Sequence, residues 1–406
     1  MLKRIAAKDL RLGMFIAELC GSWMEHPFSK TQFLLDDEKD RESICTSGIR
    51  EVWIDTSRGS DEASHPTKSA SDINQETENL LLRVANAQKV IQVSIQQELT
   101  LATKVCDRAK EAVMQIFTEA RLGKTIEVSY AQTIVEEIST SVFRQPHALI
   151  SLARLKNNNM EYTYMHSVAV CALMVALARH MDLDNNMVRE AGLAGLLHDI
   201  GKIGISHKIL NKPGKLTDSE FNTVKNHPEI GWKLLLDNPM ISASVVDVVL
   251  HHHEKVDGNG YPHRLKGDAI SLFAKMGAVC DVYDAITSNR PYKKGWPPAE
   301  AIRKMAEWSK NHFDEMVFQS FVKTVGIYPT GSLVRLESDR LGVVLEQNEH
   351  SLLTPNVKVF FSAKFKAPIL QEIINLSLMV GKDKIVGREA PEDWGFRNLD
   401  ALWMDE

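Results

Sequence analysis

The 406-residue chain has no CxxC pair among its five cysteines, Cys20, Cys45, Cys106, Cys171 and Cys280, and five is an odd number. This argues against a zinc knuckle and a disulfide framework and predicts small buried hydrophobes in a reducing compartment. Long apolar runs are missing as well: the longest, "VAVCALMVALA" at 168–178, stops after 11 residues at Arg179. A bilayer span needs about 20 such residues, and the opening "MLKRIAAKDL" leads into no apolar signal core. A cytoplasmic protein with no membrane anchor is expected. The chain also lacks a strong charge of one sign. Its net charge of -5 argues against non-specific nucleic-acid binding but leaves room for a local basic pocket. What is present, 44% hydrophobic and 25% charged residues, is the composition of a folded globular chain.

Residues 1–57 read as a small α+β domain. "LRLGMFIAEL" alternates like a strand after a glycine turn, and "IREVWIDT" is a second strand candidate. A polar, Ser-rich linker over 58–76 follows. Residues 77–145 form a helical connector. Over about 77–122 helix formers dominate without proline, which predicts a long amphipathic helix packed on the next domain, with a dimerising coiled coil as the alternative. A shorter helix over 128–144 comes next. Helical patterning continues through 146–326, where Thr217 and Glu220 form a capping box. From 327 to 406 the pattern changes to β: "GSLVRLESDRLGVVLEQ" and "NVKVFFS" predict a hairpin with an added strand, then a tail. The fold class is mainly α, with a small N-terminal α+β domain and a short C-terminal β appendage.

Nine of the fourteen histidines lie between His166 and His263, about a quarter of the chain. His198 and Asp199 end an apolar helix in "LAGLLHDIGKIGI", with Gly201 placed to terminate it. A carboxylate there is costly unless it is paired or bound to a cation. The same oddity recurs. His166 lies on the core-facing stripe Tyr162, His166, Ala169, Leu173, Leu177, and His227 opens "HPEIGWKLLL", where Pro228 suits a first helical turn. His252 and His253 close the apolar "ISASVVDVVL", and Asp281 interrupts "LFAKMGAVCDVYDAI". Any one of these alone is more often a satisfied core group. Five imidazoles and two carboxylates in one apolar domain are better explained by metal. Seven ligands are too many for one ion with an open position. They suit two ions that share Asp199, an arrangement that clamps both oxygens of a phosphoryl group and makes hydroxide available near neutral pH. Nitrogen and oxygen donors without thiolate suit iron or manganese, with nickel, cobalt and zinc open.

Taken in order, "HDIGKIGI", "ILNKPGKLT", "HPEIG", "HHHEKVDGNGYPHRLKG" and "DVYDAITSNRPY" resemble the HD-GYP subgroup of the HD phosphohydrolase superfamily over about 146–325. The stretches "LRLGMFI", "SWMEHPF" and "VWIDT" are similar to a small domain of unknown function found before such domains. The resemblance implies a helical HD-type phosphohydrolase domain that hydrolyses cyclic di-GMP to linear pGpG or on to GMP. It assigns one metal to His166, His198, Asp199 and Asp281, and the second to Asp199, His227, His252 and His253. It also implies that Lys202 neutralises the scissile phosphate and that Arg290 and Lys293 contact phosphate and guanine. Some members hold a third metal through a glutamate one turn before the first histidine. Tyr162 stands there, and Glu161 points about 100° away, so two metals are expected and the step on to GMP is in doubt.

Asp284, one turn past Asp281, is read as a group that orients a ligand or the bridging water, or as a helix-surface aspartate. Glu254 is expected to hold the loop, and Tyr261 to stiffen it and contribute to the substrate pocket. His251, adjacent to two ligands, is expected to face away because neighbouring helical side chains diverge by about 100°. In the family the GYP loop is associated with diguanylate cyclase (GGDEF-type) domains, a partner expectation here; a homodimer is left open. Two rival functions remain: a metal-loaded but inactive cyclic di-GMP sensor, and an HD phosphohydrolase for another cyclic dinucleotide.

Overall fold

A computed structural model describes residues 2–20, 32–46, 49, 51–60, 93–155, 162–212, 214–289, 294–348, 351–379 and 381–404. Contacts divide the chain into two units, Met1–Lys89 and Val90–Glu406. In the first, strands β1 (Leu2–Ala6), β2 (Phe15–Cys20), β3 (Phe33–Leu34) and β4 (Glu51–Asp55) form an antiparallel sheet in the order β1-β4-β2-β3, joined by helix α1 (Glu38–Thr46). Val52 and Ile54 of β4 point into a core with Ile5, Met14, Ile16, Leu35 and Ile44. Alternation along "VWIDT" thus reads correctly. Strand β1 escapes a reading by pattern because "LKRIA" offers too short an alternation.

The second unit opens with helix α2 (Ile95–Arg121). Ser94 caps it, its hydroxyl accepting from the Gln97 N–H while the Gln97 side chain accepts from the Ser94 N–H. This capping box starts the helix later than the run of helix formers predicts; residues 77–92 lie outside the described residues. Its buried stripe includes Leu99, Ala102, Cys106, Ala109, Val113, Ile116 and Ala120. That face packs on α3 (Val128–Arg144), α4 (Pro146–Leu155) and α5 (Tyr162–His180), the domain-packing arrangement expected from the sequence. Glu98, 1% exposed, ties the bundle together by accepting from Arg144 Nε and Nη2 at 2.7 Å each and from Ser141 Oγ at 2.8 Å.

Helix α5 is long and apolar enough to cross a membrane, but 78% of its apolar window is buried inside the unit, as befits a central core helix. Around it come α6 (Asn185–Leu197), α7 (His207–Leu210), α8 (Asp218–Val224), α9 (His227–Leu235), α10 (Ala243–His251), α11 (Leu272–Thr287), α12 (Pro298–His312) and α13 (Glu315–Val325). The Thr217–Glu220 capping box forms at the start of α8. Gly195 lets α6 lie close to α5: a Cβ there would sit 2.9 Å from the Cys171 Cα. Cys106, Cys171 and Cys280 are buried as expected, whereas Cys45 is exposed.

The C-terminal part is larger than a hairpin with one added strand. Strands β5 (Leu333–Leu336), β6 (Arg340–Asn348), β7 (Ser351–Ser362), β8 (Ala367–Asn375) and β9 (Ile385–Arg388) form one antiparallel sheet in the order β8-β7-β6-β5-β9. The final stretch does not trail away. Helix α14 (Ala401–Met404) packs on α2 and β6 and places Trp403, fully buried, in the main core.

Candidate metal centre

Six helices or helix ends converge on one buried cluster. His166 projects from α5 and Asp281 from α11. Helix α6 ends at Leu197 with His198 as its cap, and Asp199 leads into a short 3-10 turn, Ile200–Gly204. His227 is the first residue of α9, with Pro228 in the first turn. His252 caps α10 and His253 follows it. Gly201 has a role the sequence did not suggest. It does not end α6; a Cβ on it would lie 1.9 Å from the His227 carbonyl oxygen. Only glycine permits this contact, which holds the Asp199 turn against the start of α9.

His198, Asp199, His227 and His252 are each 1% exposed and His166 3%. The donors form two groups, His166 with His198 and Asp199, and His227 with His252 and His253. The two oxygens of Asp199 face opposite ways. Oδ2 lies 3.5 Å from His166 Nε2 and 3.3 Å from His198 Nε2, whereas Oδ1 lies 3.2 Å from His227 Nε2 and 3.9 Å from His252 Nε2. Asp281 also reaches both groups, with Oδ1 3.0 Å from His166 Nε2 and Oδ2 3.6 Å from His253 Nδ1.

Proton placement, assigned from partners, decides what these short distances mean. Each of four rings gives its Nδ1–H to an acceptor outside the cluster: His198 to the Gly195 carbonyl at 2.7 Å, His227 to that of Val224 at 2.7 Å, His252 to those of Val248 and Val249 at 3.1 Å, and His166 to Asp284 Oδ2 at 2.7 Å. The Nε2 atoms of His198, His227 and His252 are then bare lone pairs, and that of His166, which faces Asp281 Oδ1 at 3.0 Å, becomes one where an ion takes the place of its proton. Yet His198 Nε2 is 3.2 Å from His166 Nε2, and His227 Nε2 is 3.3 Å from His252 Nε2. Asp199 Oδ1 is buried with no hydrogen-bond donor. Lone pairs converging at such distances repel unless a cation sits among them, so the residues fit a pair of metal ions.

Protonation trends agree. Burial opposes ionisation of Asp199, but Lys202, His198 and His227 hold its carboxyl well below the usual range. Burial likewise opposes ionisation of Asp281, which the hydrogen bond from His166 and the fields of His253 and His198 overcome. Burial, together with neighbouring imidazoles, pushes His252 well down, and burial takes His253 to about 3, so both rings are neutral. Burial would also lower His166, but hydrogen bonds to Asp281 and Asp284 outweigh it and raise the ring to about 9. That end of the cluster favours a positive charge. Ionised carboxylates and neutral imidazoles are the forms that bind a metal.

Of the two readings left open for Asp284, the structure selects the orienting one. It is 3% exposed, accepts from His166 Nδ1, and is itself held by the Ser288 hydroxyl at 3.0 Å. It does not reach the metal-facing atoms, so it positions His166 rather than acting on substrate. Ser288, four residues on, was not singled out from sequence; its i+4 spacing is the signal that could have found it. Lys202 Nζ donates to Asp199 Oδ2. Glu254 accepts from the backbone N–H groups of His263 at 2.7 Å and Leu265 at 3.1 Å and so fixes the loop. Tyr261 stacks on His253 with ring centroids 4.6 Å apart. His251 turns away, bonded to Asp247 at 2.7 Å and His263 at 2.9 Å. Tyr162 lies flat on His166, centroids 5.6 Å apart. Arg290, Lys293 and Glu161 lie outside the described residues.

Residues 144–317 match the HD domain family, and residues 2–131 match a domain of unknown function (DUF3391). A cyclic di-GMP phosphodiesterase of Pseudomonas aeruginosa is 56% identical over 404 residues, covering 99% of this chain and 96% of the relative. The cyclic di-GMP phosphodiesterase response regulator RpfG of Xanthomonas campestris is 36% identical over 192 residues, 47% of this chain and 50% of its own length. A 3'3'-cGAMP-specific phosphodiesterase of Vibrio cholerae is 34% identical over 193 residues, 46% of this chain and 44% of its own.

Proposed function

The chain belongs to the HD-GYP family of HD-domain phosphodiesterases, and from that premise we propose that it hydrolyses cyclic di-GMP to linear pGpG at a centre of two divalent transition-metal ions, iron or manganese in the first instance. The observation that carries the reading is Asp199, whose two oxygens face two separate groups of imidazole lone pairs. His166, His198, Asp199 and Asp281 would hold one ion, and Asp199, His227, His252 and His253 the other. When bound, such a pair supplies an activated water near neutral pH and charge neutralisation for phosphoryl oxygens.

The remaining chemistry falls to side chains. Lys202, three residues beyond the bridging carboxylate, offers a point charge to the scissile phosphate. Tyr261, packed on His253, forms a wall of the pocket, with Lys225 Nζ 5.7 Å from its ring centroid. Arg290 and Lys293 would contact phosphate and guanine. Tyr162 supports termination at pGpG, because an aromatic ring stands at the position from which a carboxylate would reach a third ion. The full-length likeness to a cyclic di-GMP phosphodiesterase favours that substrate over hybrid cyclic dinucleotides, whose named relatives match only about half of this chain. We also propose a cytoplasmic location, contact of the GYP loop with diguanylate cyclase domains and a homodimer, the latter two tested by pull-down and light scattering.

The test is product identification. Protein purified without oxygen is analysed for metal, incubated with cyclic di-GMP and chromatographed. We expect pGpG to accumulate and Asp199→Ala to abolish its formation while the helical circular dichroism is retained. Full turnover by Asp199→Ala would sink the assignment, and bound but unaltered cyclic di-GMP with metal-loaded protein would make this chain a sensor instead.

A further inference from the structure

Lys202 belongs to two places at once. Its ammonium touches Asp199 in the buried centre, while its stem lines a narrow cleft with Arg121, Thr163, His207 and Asn211. Among the described residues no carboxylate lines that cleft. Arg121, in the last turn of α2, is exposed and has no ion pair or side-chain hydrogen bond within the described structure. Its position is nevertheless set: α2 packs against the 3-10 turn that carries Lys202, and Phe117, one turn earlier, meets Tyr164 edge to face at 5.6 Å. Arg121 and His207 thus border one opening beside Lys202, whose own charge is met by Asp199, and among the described lining residues none is acidic.

A cyclic dinucleotide carries two phosphates, and only one can sit at the metal-facing carboxylates at a time. We infer that Arg121, with His207 lining the same cleft, binds the phosphate that is not being cleaved while Lys202 takes the scissile one. A guanidinium fork suits two phosphate oxygens, and its exposure leaves it ready to accept them. The inference rests on the cyclic di-GMP reading and goes further, because Arg121 lies outside the HD-domain match and inside the stretch matched to the domain of unknown function. The helix that carries a substrate contact is therefore contributed by the segment that precedes the HD domain.

The test compares two substrates on metal-loaded full-length protein: cyclic di-GMP, with two phosphates, and bis(p-nitrophenyl) phosphate, with one. Arg121→Ala should raise KM for cyclic di-GMP about 10- to 100-fold, as loss of a charged hydrogen-bonding group does, with little change in kcat. Hydrolysis of the single-phosphate ester should stay at the wild-type rate, and Arg121→Lys should recover part of the lost affinity. An unchanged KM for cyclic di-GMP, or an equal loss on both substrates, would overturn the role of Arg121 while leaving the phosphodiesterase intact. Wild-type protein that cleaves the ester but not cyclic di-GMP would overturn both readings together.

Discussion

Replacing Asp284 tests whether the cluster binds metal through rings oriented from behind. Its Oδ2 accepts the His166 Nδ1–H at 2.7 Å, and both residues are almost fully buried. Asp284→Ala removes the acceptor, frees the ring to rotate or change tautomer, and strands Ser288, whose hydroxyl donates to the other oxygen. A hydrogen bond to a charged group contributes about 1.5–3 kcal/mol, which corresponds to roughly a 10- to 100-fold change in an equilibrium constant. Loss of such partners behind metal-bound histidines reaches a similar 10- to 100-fold. The affinity for the ion that His166, His198, Asp199 and Asp281 would hold should fall by that factor, while the ion proposed for Asp199, His227, His252 and His253 should be retained. Asp284→Asn keeps an acceptor oxygen but not the charge, so its loss should be smaller. Chelator competition followed by metal analysis of the dialysed protein reads both effects. Wild-type affinity at both sites in Asp284→Ala would refute the orienting role and the tautomer argument built on it.

His251→Gln should leave the metal content of the purified protein unchanged, because its ring is engaged by Asp247 and His263. The same change at His253 should lower that content; equal metal in the two variants would refute the assignment. Gly201→Ala places a Cβ 1.9 Å from the His227 carbonyl oxygen, so the turn or the start of α9 must move, at a cost of about 1–3 kcal/mol or more. Calorimetry should show Tm falling by several degrees and metal analysis a loss at the His227 group; an unshifted Tm would mean that this approach is not required.

The candidate ligands, which the fold brings into one buried cluster, stood out in the sequence because each violates its surroundings. An imidazole or carboxylate on an apolar helix face is a local contradiction that only a partner resolves, and seven of them within one helical stretch narrow the partner to metal. The same reasoning could not see what holds the rings in place. Three of the four Nδ1 acceptors that fix the tautomers are backbone carbonyls, those of Gly195, Val224 and Val248 with Val249. Every residue carries a carbonyl, so no residue type marks them. Gly201 was noticed but misread, since close approach to a distant helix and termination of its own helix leave the same glycine in the sequence. The C-terminal sheet was underestimated for a related reason. β8 has the burial pattern of a largely exposed strand and lacks a clean apolar face, so its existence depends on pairing with β7 rather than on its own pattern.

Arg121 shows the complementary limit. On a helix read as amphipathic packing, a terminal basic residue is ordinarily a solvated group that favours the negative end of the helix. Nothing in the local sequence separates that role from a substrate contact, because the distinction depends on what lies opposite. Here it is the Lys202 turn, about 80 residues later in the chain. Residues that contradict their own environment are therefore legible one at a time, whereas residues that suit their environment become functional only through a neighbour supplied by the fold. The candidate metal ligands and Asp284, a buried carboxylate on an apolar helix, are of the first kind, and Arg121 and Gly201 are of the second. By this argument a search for further substrate contacts should begin from what faces Lys202 and Tyr261 across the opening, and not from unusual residues in the chain.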